Sequence, residues 1–406
     1  MPALKKSPFF EFLNRRDDPG FGAFMATAIE DEDYIEWNSY VLPFDFGDAE
    51  AEYHALRKSC AVCDVTPMCK IRIRGADAGA FLDHLVTRPV SQLAPMRATY
   101  TVYCNEDGTL KDDSVLYKIS DDDYMMMPSD IDHSAYFETL RETLGFGDVT
   151  FEECSGDWDG IAIQGPQSAA VMQHMGFDGI EDLTPFQVRD YDRPGGTLRV
   201  ARMGFTADLG YELWCKPELA GTVMDLIGTA RQALNLEIPG YALRVINTCR
   251  MEGGFVVAAW DFATDLDPEP GLERTPFEVG LGWLVNLEAL NFPGRDALRE
   301  RKNQGHRFAF RTFSIDEEHA LDERAEIFDG PGKDDASVGI VTSSSWSWGL
   351  LSTLGNASIL AEHAHLETAW VAVRGKRIRI SLNRGPFLVL DRRNEVPANI
   401  EQRSST

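Results

Sequence analysis

The chain reads as an α+β protein that ends in a separate, small all-β unit. Three observations carry this. Residues 98–119 form two β-branched, aromatic-rich runs joined by Asn105-Glu106-Asp107-Gly108, the polar, glycine-ended cluster that a hairpin turn requires. Up to about residue 300, strand-like runs alternate with helical ones and include several antiparallel hairpins, which fits α+β better than a doubly wound parallel sheet. From about Arg307 the pattern changes to short strands separated by turns, as in a small barrel or sandwich.

In chain order, residues 1–45 read as an irregular arm with an aromatic-rich strand and turn at 37–46. A helix follows over 48–59, its acidic start giving way to His54, Arg57 and Lys58, as the helix dipole prefers. Residues 63–74 read as one strand, with Ile71 and Ile73 inward and Arg72 and Arg74 outward. Gly75-Ala76-Asp77 then cap a helix through Val86. After the hairpin come a strand at 124–128 and a helix from Ser129-Asp130 to Leu144. A second unit opens near 147 with a buried strand at 161–166, a helix over 167–175, and a strand at 198–203. The glycine-punctuated turn 204–213 feeds a further strand. Helices follow at 218–233 and 238–253. The tail predicts strands at 308–313, 336–342, 369–373, 377–382 and 387–390. The units run over 1–145, 146–300 and 307–406, with the chain crossing between the first two and Lys302 to His306 as linker.

At 406 residues the chain is long enough for two or three domains with real cores. Its 39 basic against 65 acidic residues give a net charge of −26, which argues against nucleic acid or an anionic membrane as partner. The start carries lysines and then acidic residues with no apolar run, unlike a signal peptide, and no apolar run is long enough to span a bilayer. These features predict a cytoplasmic protein. Seven cysteines, an odd number, fit reduced thiols. Cys60, Cys63 and Cys69 with His54 upstream are read as structural thiols, against a zinc or redox pair, because no second pair stands at ligand spacing. Gly20-Phe21-Gly22 follows no strand and opens no helix, so it makes no dinucleotide site.

No nucleophile elbow, phosphate loop or metalloprotease motif is present. What remains is a set of polar groups beside glycines: Asp112, Asp113, Asp208, Glu212, Arg250 and Glu252. Asp112 and Asp113 stand side by side in a strand, so their side chains leave on opposite faces. One of them must point inward, which is costly unless something binds it. Arg250 and Glu252 read either as an ion pair capping their helix or as part of a site. Acids, an arginine and nearby tyrosines suit a heteroaromatic ligand with amide-like edges.

Read together, these segments resemble the aminomethyltransferase (glycine-cleavage T-protein) superfamily. Cys63-Asp64-Val65-Thr66-Pro67-Met68 is similar to its F-D-V-S-H-M, residues 105–113 to N-x-x-G-G-x-x-D-D, and Gln164-Gly165-Pro166 to Q-G-P. Residues 204–212 resemble G-Y-T-G-E-x-G-Y-E, and Arg250-Met251-Glu252-Gly253-Gly254 resembles L-R-L-E-A-G. Thr275-Pro276 through Trp283, Phe292-Pro293-Gly294-Arg295 and Val341-Thr342-Ser343-Ser344 complete an ordered set over about 45–390.

The resemblance implies a three-domain cloverleaf around a central hole that holds tetrahydrofolate. It implies that Asp112 is the carboxylate at the reactive end with Tyr100 beside it, that Glu212 binds the pterin edge, and that Tyr211 and Trp283 line the pocket. Asp113, Phe205 and Arg250 join the expected folate-binding set, while Tyr100, Tyr103 or His133 would protonate a poor leaving group. Pro67 replaces the family histidine, Phe205 a tyrosine, Ala207 a glycine and Asp208 a glutamate, and Ile246 stands where an arginine belongs. Those departures favour the tetrahydrofolate-dependent demethylases, which act on small methylated substrates, here a methoxyarene first. A sulfonium or N-methyl donor is an alternative, as is a non-catalytic folate-binding protein. A true aminomethyltransferase needs a lipoylated carrier protein, and Pro67 and Ile246 speak against it. A flavin-dependent dehydrogenase is disfavoured because no nucleotide-binding domain comes first.

Overall fold

The computed structural model describes residues 4–13, 34–265, 267–288 and 291–396; Gly20-Phe21-Gly22 lies outside them. Among the described residues, two five-stranded sheets, a two-stranded hairpin and a closed six-stranded barrel make up the β architecture. The first sheet runs Arg97–Cys104, Leu110–Ser120, Asp123–Pro128, Ile71–Arg74, Thr150–Glu153, antiparallel throughout. The second runs Val188–Arg193, Gly196–Ala201, Gly210–Cys215, Asp159–Gln164, Ala61–Asp64, again antiparallel.

The predicted single strand at 63–74 is two strands in different sheets. Ala61–Asp64 pairs with Asp159–Gln164 in the second sheet, and Ile71–Arg74 pairs in the first. Thr-Pro at 66–67 separates them, as proline's restricted backbone favours. Thr150–Glu153, which the sequence reading placed in the second unit, is an edge strand of the first sheet. The chain therefore passes from sheet to sheet twice.

Each sheet is half of a sandwich. Helices Ala78–Leu85 and Ser134–Leu144 cover the outer face of the first, burying Phe81, Leu82, Leu85 and Phe137 against Ile71, Ile73 and Leu116. Helices Ser168–His174 and Ala220–Leu234 cover the second, over Ile161, Ile163, Tyr211 and Leu213. The inner faces meet each other: Ala98, Tyr117, Met125 and Met127 pack with Ala162, Ala201 and Trp214, joined by helices Ala49–Lys58 and Leu243–Glu252. Burying one face of each sheet against the other leaves a shared interior between them.

Several expected boundaries shift. The helix after the hairpin begins at Ser134 rather than at Ser129, because Asp130 adopts a positive φ of 58° and turns the chain first. The helix predicted at 238–253 starts at Leu243, after Pro239-Gly240 have been used to pair with Val62. Residues 34–43 form a two-stranded hairpin, Tyr34–Trp37 with Tyr40–Pro43. Its turn residues, Asn38 and Ser39, both have positive φ, the twist a two-residue hairpin turn demands.

The barrel closes in the order Phe308–Ile315, Ser352–Leu360, Ser337–Ser347, Glu326–Phe328, Thr368–Val373, Lys376–Asn383. Two of its strands, Glu326–Phe328 and Ser352–Leu360, were not anticipated. Conversely, residues 387–390 are not a strand: the amides of Phe387 and Leu388 both donate to the Glu252 carbonyl, tying the tail to a helix end. Among the described residues no helix is long and apolar enough to cross a membrane.

Candidate functional site

The strand Leu110–Ser120 decides the site, because it carries both aspartates. Asp112 shares its face with Ser114 and Leu116 and with Tyr103 across the hairpin. That face lies beneath the covering helices. There the fully buried Asp112 carboxylate accepts four hydrogen bonds: from the Asp113 amide (2.8 Å), the Ser129 hydroxyl, the Tyr103 hydroxyl (3.2 Å) and His133 Nε2 (2.9 Å). His133 and Tyr103 are themselves buried against Phe137.

Asp113 takes the inner face, with Val115 and Tyr117. Tyr100, across the hairpin, donates its hydroxyl to the Asp113 carboxylate. This corrects the expectation of an Asp112–Tyr100 pair. Tyr100 lies opposite Val115 and so shares the odd-numbered face, as strand alternation dictates. The same alternation sets Tyr103 on the outer face opposite Asp112, and His133 joins it there through its bond to Asp112. Burial and the neighbouring charge of Asp112 push the Asp113 carboxyl up to about 7, and burial beside Asp113 pushes the Tyr100 hydroxyl far up. Tyr100, Asp113 and Val115 are only half-buried whereas Tyr117 is fully buried. The inner face of this strand is thus closed over at Tyr117 and becomes partly exposed towards Asp113.

Glu212 meets this face from the other sheet. In Gly210–Cys215 it alternates with Tyr211 and Leu213, which enter the helix-side core, while Glu212 and Trp214 face the first sheet. The Tyr117 hydroxyl lies 3.4 Å from Glu212 Oε2, a long contact for a carboxylate taken out of water. Burial pushes the Glu212 carboxyl up to about 7. Tyr211 is corrected out of the pocket: its ring is buried among the helices and its hydroxyl donates to the Ile180 carbonyl (3.4 Å). Tyr117, four residues beyond Asp113, was missed by sequence reasoning. An even spacing on one strand is the signal that would have found it.

The Gln164-Gly165-Pro166 turn holds this arrangement. Gln164 Nε2 donates to the carbonyls of Met203 (3.1 Å) and Tyr211 (3.3 Å), and its oxygen accepts from the Thr206 hydroxyl (2.8 Å). Gly165 sits at φ +119°, where a Cβ would stand 2.4 Å from the Leu56 carbonyl oxygen. Only glycine fits there.

Arg250 and Glu252 do not pair with each other. Glu252 accepts from Tyr53 (2.6 Å), Ser347 (2.6 Å) and Arg57, whose Nη2 lies at 2.6 Å. Arg57 also bonds Asp208 (3.0 Å), which in turn holds Arg392 (2.6 Å). Asp208 and Glu252 therefore belong to a buried ion network that joins both inner helices, the barrel and the tail. Arg250 bonds Asp261 (3.1 Å) and the Phe255 carbonyl (3.1 Å), and its Nη2 has no hydrogen-bond partner among the described residues. Asp261 is within electrostatic reach of Tyr100. Phe205 is partly exposed and stacks on Phe255, and Trp283 is 67% exposed beside Arg88. All seven cysteines are buried.

The family model described as GCVT N-terminal domain matches residues 31–289. The probable aminomethyltransferase of Halobacterium salinarum (strain ATCC 29341 / DSM 671 / R1) is 29% identical over 361 residues, covering 87% of this chain and 94% of that protein. The aminomethyltransferase of Anoxybacillus flavithermus (strain DSM 21510 / WK1) is 30% identical over 357 residues, covering 87% and 94%. The crystal structure of glycine cleavage system aminomethyltransferase T from Bartonella henselae superposes with a TM-score of 0.77 at 20% identity, over 95% of this chain and 99% of that one. That likeness shows the fold: α+β, of the T-protein type, with a C-terminal barrel.

Proposed function

We propose that this chain, which belongs to the GCVT family, is a tetrahydrofolate-dependent one-carbon transferase, with an aminomethyl group as the first donor class to consider. One observation carries the reading: Asp113 and Glu212 approach one interior from opposite sheets, joined along a single strand face by Tyr117. Asp113 and Tyr117 are four residues apart, which spans about 13 Å of strand.

The residues fit the cofactor. Glu212 is a buried carboxylate with acceptor capacity to spare, and a pterin edge offers adjacent N–H donors. Tetrahydrofolate, when bound, supplies the nucleophilic nitrogens that receive the one-carbon unit. Asp113, at the open end, holds or accepts a proton and offsets positive charge at a reacting nitrogen. Tyr100 orients the Asp113 carboxylate. Arg250, with Nη2 free of partners among the described residues, can take a further acceptor of the ligand.

The names of the relatives support aminomethyl transfer over methoxyarene demethylation, and bring a lipoylated carrier protein back among the partners to test. Demethylation of a small methylated substrate is the second reading, for one reason. Where the resemblance expects a histidine and an arginine, this chain has Pro67, whose carbonyl accepts from Asn38 (2.8 Å), and Ile246, which packs in the inner core.

The test is to incubate the protein with tetrahydrofolate and, separately, an aminomethyl-loaded lipoylated carrier, methoxyarenes, dimethylsulfonio compounds and methylamines, and to identify the folate product by mass. Methylene-folate from the loaded carrier is expected. Methyl-folate from a small donor would select the second reading, and no folate product from any donor would overturn both.

A further inference from the structure

A second carboxylate lies directly behind Asp113, on the opposite face of the sheet, in a cluster whose Tyr103 and His133 are buried and whose Ser129 is half-buried. Asp112 is fully buried, and four donors converge on it from four segments: Tyr103 from the facing strand, Ser129 from the turn, His133 from the helix start and the Asp113 amide from its own strand. Four acceptor sites are what an ionised carboxylate offers. The last of these bonds means that the peptide carrying Asp113 is itself gripped by Asp112.

We propose that Asp112, with Ser129, Tyr103 and His133, is a positioning residue that acts through the sheet: it fixes the Asp113 peptide and, by its charge, governs when the Asp113 carboxyl gives up its proton. The inference rests on the reading of Asp113 as the reactive-end carboxylate. The groups that face Asp113 are few. Tyr100 donates to it from the facing strand, and Asp130 adds negative charge from the turn, its own carboxyl held by Trp37 Nε1 (2.6 Å) and pushed up to about 6 by burial. Asp261 reaches Tyr100 from the connection to the barrel and is neutralised by Arg250. Among these groups Asp112 contributes the largest electrostatic push on Asp113. Like charges on adjacent residues disfavour ionisation of the member with fewer hydrogen-bond donors, and Asp113, with Tyr100 as its side-chain donor against four donors on Asp112, is that member.

The test reads the Asp113 carboxyl directly, by 13C NMR titration of the full-length, ligand-free protein, its resonance assigned with Asp113→Asn. In Asp112→Asn the Asp113 midpoint should fall by ~1 pH unit or more, since a neighbouring negative charge is removed. Tyr103→Phe is the control for mere disruption: it removes one bond to Asp112 but keeps the charge, so the midpoint should not fall. An unmoved midpoint in Asp112→Asn, or an equal fall in Tyr103→Phe, overturns the proposal. Tetrahydrofolate binding to the wild type, measured separately, judges the functional reading instead. If both hold, the pH profile of turnover shifts with the midpoint in Asp112→Asn.

Discussion

Tyr117 reaches across from the first sheet to place its hydroxyl 3.4 Å from the Glu212 carboxylate of the second. That contact joins the two halves of the molecule at the closed end of their shared interior, and Asp113 stands at the open end of the same strand face. The proposed chemistry depends on this geometry.

Asp113→Asn should lower turnover by ~10²-fold or more while leaving tetrahydrofolate affinity within a few-fold, because it removes a proton acceptor rather than a binding edge. In the wild type, turnover should rise with pH through about 7 as Asp113 ionises. Steady-state rates across pH check both; wild-type turnover in Asp113→Asn would remove this residue from the mechanism.

Glu212→Gln should weaken tetrahydrofolate binding by ~10-fold or more, the worth of a charge-assisted hydrogen bond, read by calorimetric titration. The same substitution should stabilise the ligand-free protein at alkaline pH. The Glu212 pKa is raised from 4.5 to about 7 in the fold, so the folded state holds a proton that the unfolded state loses. Stability therefore falls as pH rises from about 4.5 to about 7, by something of order 3 kcal/mol. Denaturant melts at pH 5 and pH 8 should show this slope in the wild type and a flatter one in Glu212→Gln.

Glu252→Ala should act on stability, not on chemistry. It leaves Arg57 buried with Asp208 as its remaining carboxylate and strips the acceptor from Tyr53 and Ser347, a loss of about 3–5 kcal/mol. Chemical denaturation measures it. A mild effect would mean that the network is redundant.

Gly165→Ala should cost at least ~1–3 kcal/mol from its backbone conformation alone, with the Leu56 carbonyl clash added. Since Gly165 follows the Gln164 side chain that secures the Met203 and Tyr211 carbonyls, folate affinity should fall along with the melting temperature. A variant with unchanged melting would show that the turn relaxes without penalty.

Much of the architecture was legible in local pattern. The hairpin around Asn105 to Gly108, the helix that opens at the acidic run after Asp48, the glycine of Gln164-Gly165-Pro166 and the turn to short strands after Arg307 all follow from periodicity, charge placement and turn chemistry, which act over a few residues. Strand alternation also dictated that Asp112 and Asp113 must part company. Which of them would face the interior depended on where the covering helices lie, and only Tyr100 and Val115 on one side, and Phe137 and His133 on the other, decided it. The break at Pro67 that sends residues 61–64 and 71–74 into different sheets was equally hidden, because a strand's own residues do not name its partner. So was the Arg57–Glu252 pair, 195 residues apart in sequence. Short-range stereochemistry is written in neighbouring residues, whereas burial, and with it the proton affinity of Asp113 and Glu212, is a property of surfaces that meet only once the chain has closed on itself.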